Sequence, residues 1–246
     1  MTSVVVEVKD LVKDYDGFRA LNKVSFNVYE GDIFGLIGPN GAGKTTLFRI
    51  LATLLIPTSG TATIYGYDVV KDSNEVRKLI TYLPEDAGIY RNITAYEYLR
   101  LIAKAYYTSS SDVEECVELG VKLLGLGDRI YDKMKTYSKG MRRRVQVVRA
   151  LMIRPKVAIL DEPTVGLDVI YSKGIRDLIK EFSKTYGTTV LISSHNMFEV
   201  EGLCNRVALI SNGKLIVEGF TEELISKYGV KNLEELFIMF VRGVNA

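Results

Sequence analysis

The 246-residue chain has two cysteines, one histidine and no long uncharged apolar run. Cys116 and Cys204 lie far apart and form no Cys-x-x-Cys pair, which suits a reducing cytosol and gives no cysteine metal site. No apolar run approaches the ~18 residues that a membrane-spanning helix needs. The N-terminal sequence MTSVVVEVKD lacks the basic start and apolar core of a signal peptide. If this protein acts at a membrane, we expect another chain to supply the spanning helices.

The charge balance gives little reason to expect a nucleic-acid partner. The formal net charge is +2, with 25% charged and 47% hydrophobic residues, which is ordinary for a globular protein. Arg142, Arg143 and Arg144 are consecutive, and consecutive helical positions point in different directions. We therefore expect them on a partly solvated helix, without one basic face that would bind nucleic acid.

Apolar, β-rich runs separated by turn residues predict strands through both ends of the chain. Val157–Leu160 is apolar at every position, which is typical of a parallel strand covered on both faces. Asn212-Gly213 predicts a hairpin between the last two strands. The predicted strands are Val4–Val8, Val24–Val28, Ile33–Ile37, Ala62–Tyr65, Ile80–Leu83, Val157–Leu160, Val190–Ser193, Val207–Ile210 and Leu215–Val217.

Between Pro84 and Pro155 the strand pattern stops and helical spacing begins. The predicted helices there are Thr94–Tyr107, Asp112–Leu124 and Ser138–Ile153, the last with Met141, Val145, Val148 and Met152 on one face. The fold class is therefore α/β, with a mostly parallel sheet, an antiparallel β portion and an inserted helical subdomain. We expect one domain over 1–246. It comprises a core of 1–84 and 156–220, a helical subdomain of 85–155, and a helical tail of 221–246 that packs on the core.

The sequence GPNGAGKT lies between the predicted strand Ile33–Ile37 and a helical pattern over Thr46–Leu55. It matches G-x-x-x-x-G-K-[ST] in the strand–loop–helix setting that this motif requires. Glycines let backbone N–H groups point at phosphates, and the helix N-terminus adds partial positive charge. We expect Lys44 at the β- and γ-phosphates and the Thr45 hydroxyl on Mg²⁺. The predicted nucleotide-binding residues of this segment are Gly38, Pro39, Asn40, Gly41, Ala42, Gly43, Lys44, Thr45 and Thr46.

That loop would also fit a kinase or a GTPase. Other polar residues are therefore needed to distinguish among these classes of nucleotide-binding protein. Asp161 and Glu162 end a predicted buried strand, where open α/β sheets place their chemistry. Asp161 suits Mg²⁺, held through water, and Glu162 suits a general base for an attacking water. His195, the single histidine, ends another apolar run. We favour a γ-phosphate contact for it over a purely structural hydrogen bond.

Residues 137–141, with the sequence YSKGM, predict a second glycine-containing helix start. Ser138 is a favourable N-cap, and a capped helix N-terminus beside Gly140 binds anions well. An ordinary capped helix explains the same residues equally well. The residues alone therefore leave both interpretations open.

These motifs, in this order and spacing, resemble the nucleotide-binding domain of ATP-binding cassette (ABC) proteins over nearly the whole chain. GPNGAGKT is similar to the Walker A motif, VAILDE to Walker B, YSKGM to the signature and Thr164–Asp168 to the D-loop. The resemblance implies a P-loop NTPase core that binds ATP and Mg²⁺ and hydrolyses ATP. It also implies that Tyr15 stacks on adenine, that Asp168 belongs to the nucleotide site and that His195 is the switch histidine.

The family arrangement implies a head-to-tail dimer of ATPase domains. Each ATP would lie between the phosphate loop of one subunit and Ser138 and Gly140 of the other. The chain departs from the usual signature, Leu-Ser-Gly-Gly-Gln, at Tyr137, Lys139 and Met141. The serine and the second glycine are kept, so the phosphate contact is still expected.

A second departure is Glu85, where the family usually has glutamine; we expect its carboxylate to bind Mg²⁺. Glu85, Tyr90–Leu99 and Asn232–Ile238 most resemble multidrug or ABC-2-type export ATPases. This implies a cytoplasmic ATPase subunit, peripheral on the inner face of the cell membrane, which powers a separately encoded permease that acts as an exporter. The alternative is a soluble cassette ATPase that acts as an assembly scaffold.

Overall fold

The computed structural model describes residues 3–243; the first two residues of the predicted core and residues 244–246 of the predicted tail lie outside it. The strands are β1 (Val4–Tyr15), β2 (Phe18–Tyr29), β3 (Ile33–Ile37), β4 (Ser59–Ile64), β5 (Tyr67–Asp68), β6 (Ile80–Leu83), β7 (Val157–Asp161), β8 (Thr189–Ser194), β9 (Arg206–Ser211) and β10 (Lys214–Phe220). The α-helices are α1 (Lys44–Leu51), α2 (Ser73–Leu79), α3 (Ala95–Tyr106), α4 (Ser110–Leu124), α5 (Lys139–Leu151), α6 (Val169–Tyr186), α7 (Met197–Glu201), α8 (Thr221–Tyr228) and α9 (Leu233–Gly243).

The strands form two sheets, which confirms the predicted α/β class. The first is antiparallel with the order β2-β1-β4-β5, and the second has the order β10-β9-β3-β8-β7-β6. From β9 to β6 the second sheet is parallel, and β10 joins it through an antiparallel hairpin. Asn212 and Gly213 form that hairpin turn with φ values of 48° and 71°, as an Asn-Gly pair predicts.

The parallel sheet is covered on both faces, as the apolar run Val157–Leu160 predicts. Val157 and Ile159 pack in a core with the antiparallel sheet and α1, whereas Ala158 and Leu160 pack in a second core with α3, α4 and α5. Because side chains alternate along a strand, each residue of Val157–Leu160 is buried in one core or the other.

The three predicted helices of the middle segment are present as α3, α4 and α5. Thr94 caps α3 with a full capping box, accepting from the Glu97 N–H and donating its own N–H to the Glu97 carboxylate. The predicted apolar face of α5 is buried in the core: Met141, Val145, Val148 and Met152. Tyr137 is also buried, with its hydroxyl donating to the Arg129 carbonyl at 2.6 Å.

The two C-terminal helices, α8 and α9, pack on the core. Leu233 and Leu236 of α9 are fully buried, and Phe240 contacts Tyr228 of α8 with ring centroids 5.1 Å apart. Among residues 3–243, no helix is both long enough and apolar enough to cross a membrane. The cysteines Cys116 and Cys204 are both buried and unpaired with each other.

Candidate functional site

The predicted phosphate loop joins β3 to α1 at one end of the parallel sheet. Every residue of β3 is buried, and α1 begins at Lys44, directly after Gly43. Gly43 has a φ of 106°, and a Cβ there would lie 2.6 Å from the carbonyl oxygen of Ala20. A side chain at this position would be strained and would collide with backbone. The path of the loop therefore requires the glycine that the motif contains.

The Lys44 side chain folds back over this loop and is only 6% exposed. Its ammonium donates to the carbonyl oxygens of Gly38 at 2.7 Å and of Pro39 at 3.1 Å. The same nitrogen lies 3.5 Å from Oε1 of Glu162. Since an ammonium carries three protons, this one buried charge connects the loop to an acid that follows another strand.

A cleft of about 370 Å³ opens beside Lys44, a volume typical of small-molecule sites. Two exposed aromatic rings, Tyr15 at the end of β1 and Phe18 at the start of β2, form one side of it. The lining residues are Tyr15, Phe18, Ala20, Asn40, Gly41, Ala42, Gly43, Lys44, Thr45, Thr46, Glu85 and Glu162. The structure thus places Tyr15 beside the phosphate loop.

Asp161 is the last residue of β7 and is fully buried. Its carboxylate accepts hydrogen bonds from the Ser193 hydroxyl and, at 3.4 Å, from the Tyr82 hydroxyl. Burial and the charge of Asp161 raise the pKa of Tyr82 to about 12, so Tyr82 stays a proton donor at neutral pH. These two hydroxyls fix the orientation of the Asp161 carboxylate.

Glu162 lies between the phosphate loop and the lone histidine. Its backbone φ is 46°, a left-handed conformation that is uncommon for residues other than glycine. Its N–H donates to Ser193 Oγ at 2.9 Å. One carboxylate oxygen faces Lys44, and the other lies 3.0 Å from Nδ1 of His195, whose side chain is 45% exposed. The structure therefore brings the predicted acid, lysine and histidine into contact.

Two of the three residues expected to bind Mg²⁺ line the same cleft. Thr45 and Glu85 line it, and Asp161 ends the neighbouring strand β7. Within residues 3–243, no group of three or more His, Cys, Asp or Glu side chains could hold a metal ion by itself. Hydroxyl and carboxylate oxygens are the ligands of Mg²⁺, which nucleotide sites hold by one or two carboxylates together with phosphates. The donor set fits a cation that binds with a nucleotide.

The residues of the YSKGM segment lie apart from this cleft. Ser138 is the N-cap of α5 and accepts from the Met141 N–H at 3.2 Å. Gly140 packs under the Tyr171 ring, where a Cβ would lie 2.4 Å from Cγ. Asp168 caps α6, accepting from the N–H groups of Ile170 and Tyr171 at 3.0 Å. Among the described residues that line the cleft, Ser138, Gly140 and Asp168 do not appear.

Three residues of the site, Phe18, Tyr82 and Ser193, are not among those predicted from the sequence. A signal exists for Ser193: it is a hydroxyl near the end of a strand buried at every position, and a buried polar group needs a partner. Its partners prove to be both acids of the site. For Phe18 and Tyr82, nothing in their local sequence separates them from the chain's other aromatic residues.

The prediction that the three arginines of α5 are partly solvated is wrong for one of them. They form no common basic face, as predicted, and Arg142 and Arg144 are partly exposed. Arg143, however, is 6% exposed, so solvation does not apply to it. Its guanidinium instead donates to backbone carbonyls at the ends of β6 and β7.

A glycine-rich loop between a buried parallel strand and a helix, with paired acids at the tip of a nearby strand, defines the protein as a P-loop nucleoside triphosphatase. The family model described as "ABC transporter" matches residues 21–165. The chain therefore belongs to the ABC transporter family. It is an ATP-binding subunit of that family and an ATPase.

Relatives and solved structures agree with this membership. The chain is 39% identical to the uncharacterized ABC transporter ATP-binding protein YhcH of Bacillus subtilis, over 86% of this chain and 68% of the relative. It is 38% identical to the daunorubicin/doxorubicin resistance ATP-binding protein DrrA of Streptomyces peucetius, over 91% and 68%. A solved ATP-binding subunit of an ABC transporter is 30% identical with a TM-score of 0.85, over 96% of this chain and 99% of that one.

A further solved structure that resembles this chain contains the products of ATP hydrolysis. It is the ATP-binding cassette MJ0796, described as a dimer in a post-hydrolysis state bound to ADP and Pi. Its TM-score is 0.78 at 26% identity, over 87% of this chain and 98% of that one.

Proposed function

We propose that the chain binds ATP in the cleft beside Lys44 and hydrolyses it with Glu162 as the general base. The observation that carries this proposal is the position of the Glu162 carboxylate, 3.5 Å from the Lys44 ammonium and 3.0 Å from His195. The contact with Lys44 places the acid at the phosphate loop. The contact with His195 gives it a polar partner directly after strand β8. The proposal assigns adenine stacking to Tyr15, with the loop N–H groups and Lys44 at the phosphates.

The chain's own residues account for the hydrolytic step. A water between the γ-phosphate and Glu162 would give its proton to a carboxylate oxygen as it attacks phosphorus, and ADP would leave. His195 would contact the γ-phosphate while Nδ1 holds Oε2 of Glu162 in place. The left-handed backbone of Glu162 and its N–H bond to Ser193 limit the movement of the carboxylate.

Thr45, Asp161 and Glu85 would hold the Mg²⁺. When bound, Mg²⁺ would offset the negative charge that develops on the phosphate oxygens. Ser193 and Tyr82 keep the Asp161 carboxylate oriented for this purpose. Glu85 adds an anionic oxygen where an uncharged amide is usual in the family.

Glu85→Gln should raise the Mg²⁺ concentration for half-maximal ATPase activity on the order of tenfold, because an anionic ligand is replaced by a neutral one. The measurement is ATPase rate against Mg²⁺ at fixed ATP. Asp86→Asn is the matched control, since Asp86 lines the adjacent cavity and not the nucleotide cleft. An unchanged Mg²⁺ profile in Glu85→Gln would remove Glu85 from the metal site.

We further propose that two copies pack head to tail around two ATP molecules. Ser138 and Gly140 lie at a helix start that does not line this chain's own cleft, so an ATP contact from them would come across a dimer interface. The dimeric cassette structure with ADP and Pi supports this arrangement. Tyr171, which covers Gly140, would have to shift for that contact to form.

We also propose that the dimer powers a separately encoded integral membrane permease from the cytoplasmic side, and that transport is export. Support comes from the names of relatives: DrrA, the linearmycin resistance ATP-binding protein LnrL of Bacillus subtilis at 33% identity, and the bacitracin transport ATP-binding protein BcrA of Bacillus licheniformis at 38%. The proposed partners are ATP, a second ATPase domain and the permease, and we propose no nucleic-acid partner.

Co-purification from the native host tests the transporter assignment. A tagged chain extracted in mild detergent should bring down a multi-span membrane protein, and ATP-dependent daunorubicin uptake into inverted vesicles would support export. A stable complex that contains soluble proteins and no membrane chain would instead support an assembly scaffold. Uptake in right-side-out vesicles alone would overturn the proposed direction.

A further inference from the structure

Arg143 is the residue of α5 that connects the helical segment to the two acids of the site. It lies five residues after Ser138, and its side chain points into the protein interior with 6% exposure. Its guanidinium donates to the carbonyl oxygens of Asp161 at 3.0 Å, Glu162 at 2.8 Å, Pro163 at 3.0 Å, Glu85 at 3.0 Å and Pro84 at 3.3 Å.

This set of contacts suits arginine and no other side chain. A guanidinium has five N–H donors in a fixed plane, so it can serve several carbonyls at once, which a lysine ammonium cannot match in geometry. Among the described residues, no carboxylate forms an ion pair with Arg143, so carbonyl oxygens are its direct partners. Burial lowers the pKa of Arg143, while the nearby charges of Asp161 and Glu85 oppose that shift.

The carbonyls belong to the peptides that set the site geometry. The Glu162 carbonyl receives the shortest of these bonds, and its residue holds the strained φ of 46°. Such a conformation persists where surrounding contacts fix it. The same guanidinium also binds the backbone carbonyl of Glu85. The side chain of Glu85 lines the nucleotide cleft.

We propose that Arg143 is a positioning residue for ATP hydrolysis: it holds the Glu162 peptide so that the carboxylate meets the attacking water, and it fixes the Glu85 loop against the same strand end. This inference rests on the proposed role of Glu162 as general base. Because α5 begins at the signature residues, the same side chain joins Ser138 and Gly140 mechanically to the base. A shift of that helix would then displace the carboxylate that activates water.

Arg144 provides a matched control on the same helix. It is the next residue, is partly buried, and also donates to two carbonyls, those of Leu124 at 2.7 Å and Leu123 at 2.9 Å. These carbonyls lie at the end of α4, away from β6 and β7. The variants are therefore Arg143→Met and Arg143→Lys, compared with Arg144→Met and Arg144→Lys in the full chain.

Arg143→Met should lower kcat by about tenfold or more, while KM for ATP and the Kd of a fluorescent ATP analogue stay within about threefold. Arg143→Lys should recover part of the loss, because it keeps the charge and some of the bonds. Both Arg144 variants should keep kcat within about threefold of the parent. Thermal unfolding of all four compares their stability.

Equal kcat values in the Arg143 and Arg144 pairs would overturn the inference. An Arg143→Met variant with a raised KM for ATP and an unchanged kcat would overturn it as well. If Arg143→Met does not fold, the kcat of Arg143→Lys decides in the same way against Arg144→Lys. Glu162→Gln is measured alongside. If that variant turns over normally, the proposed base is wrong; if it is inactive while Arg143→Met is normal, only the positioning role fails.

Discussion

Glu162→Gln is expected to lower kcat for ATP hydrolysis by about 10²- to 10⁴-fold, the usual contribution of a general base. The amide keeps the size of the side chain and can still contact Lys44 and His195, but it cannot take a proton from water. Because the phosphate contacts come from Lys44 and the loop, the Kd for ATP should stay within about threefold. Trapped ATP should in turn favour the head-to-tail dimer.

Three measurements check this result: steady-state phosphate release, titration with a fluorescent ATP analogue, and light scattering with and without Mg-ATP. Glu218→Gln is the control, since it makes the same change in a half-buried carboxyl of β10 that does not line the cleft. Normal turnover in Glu162→Gln would exclude Glu162 as the base. A variant that is inactive and stays monomeric with ATP would count against the dimer only.

Lys44→Ala is expected to weaken ATP binding by about 100-fold or more, which corresponds to about 2.8 kcal/mol at 1.4 kcal/mol per tenfold. Lys44 is a nearly buried cation at the mouth of the phosphate loop, so its interaction with a triphosphate is screened little by water. Its removal also leaves the Glu162 carboxylate without its nearest positive charge. ATPase activity should fall below detection at ATP concentrations that saturate the parent.

The control for this variant is Lys173→Ala, an exposed lysine of α6 paired with Asp177. It should leave both the Kd and kcat within about twofold, since an exposed ion pair contributes little. Circular dichroism is used to check whether Lys44→Ala is folded. Should a folded Lys44→Ala bind and hydrolyse ATP as the parent does, the cleft described above is not the nucleotide site.

Elements with strong local signals are those that sequence analysis predicts well. The phosphate loop is predicted because β3, the glycines and α1 follow one another within a short stretch, so their contacts are local. β1 and β2 are longer than the predicted runs Val4–Val8 and Val24–Val28. The register of β1 shifts after Val8 and again near Lys13, and such bulges break the alternation that marks a strand.

Other features are set by the neighbours of a residue, not by its own segment. Helix α6, the longest of the described helices, is absent from the sequence prediction, although Asp168 and Gly187 cap its ends. Arg143 is expected to be partly solvated because its own segment is basic. It is buried because α5 packs against the ends of β6 and β7, where backbone carbonyl oxygens accept its hydrogen bonds.

The amino-acid sequence by itself determines the phosphate loop, the acid pair after an apolar strand and the α/β class, since each depends on residues close together in the chain. Only the tertiary structure decides that Lys44, Glu162 and His195 meet, because that contact requires the strand order β3-β8-β7. Local periodicity carries no information about which strands become neighbours. Hydrogen bonding between strands and burial of both sheet faces select that order and bring these distant residues to one sheet edge.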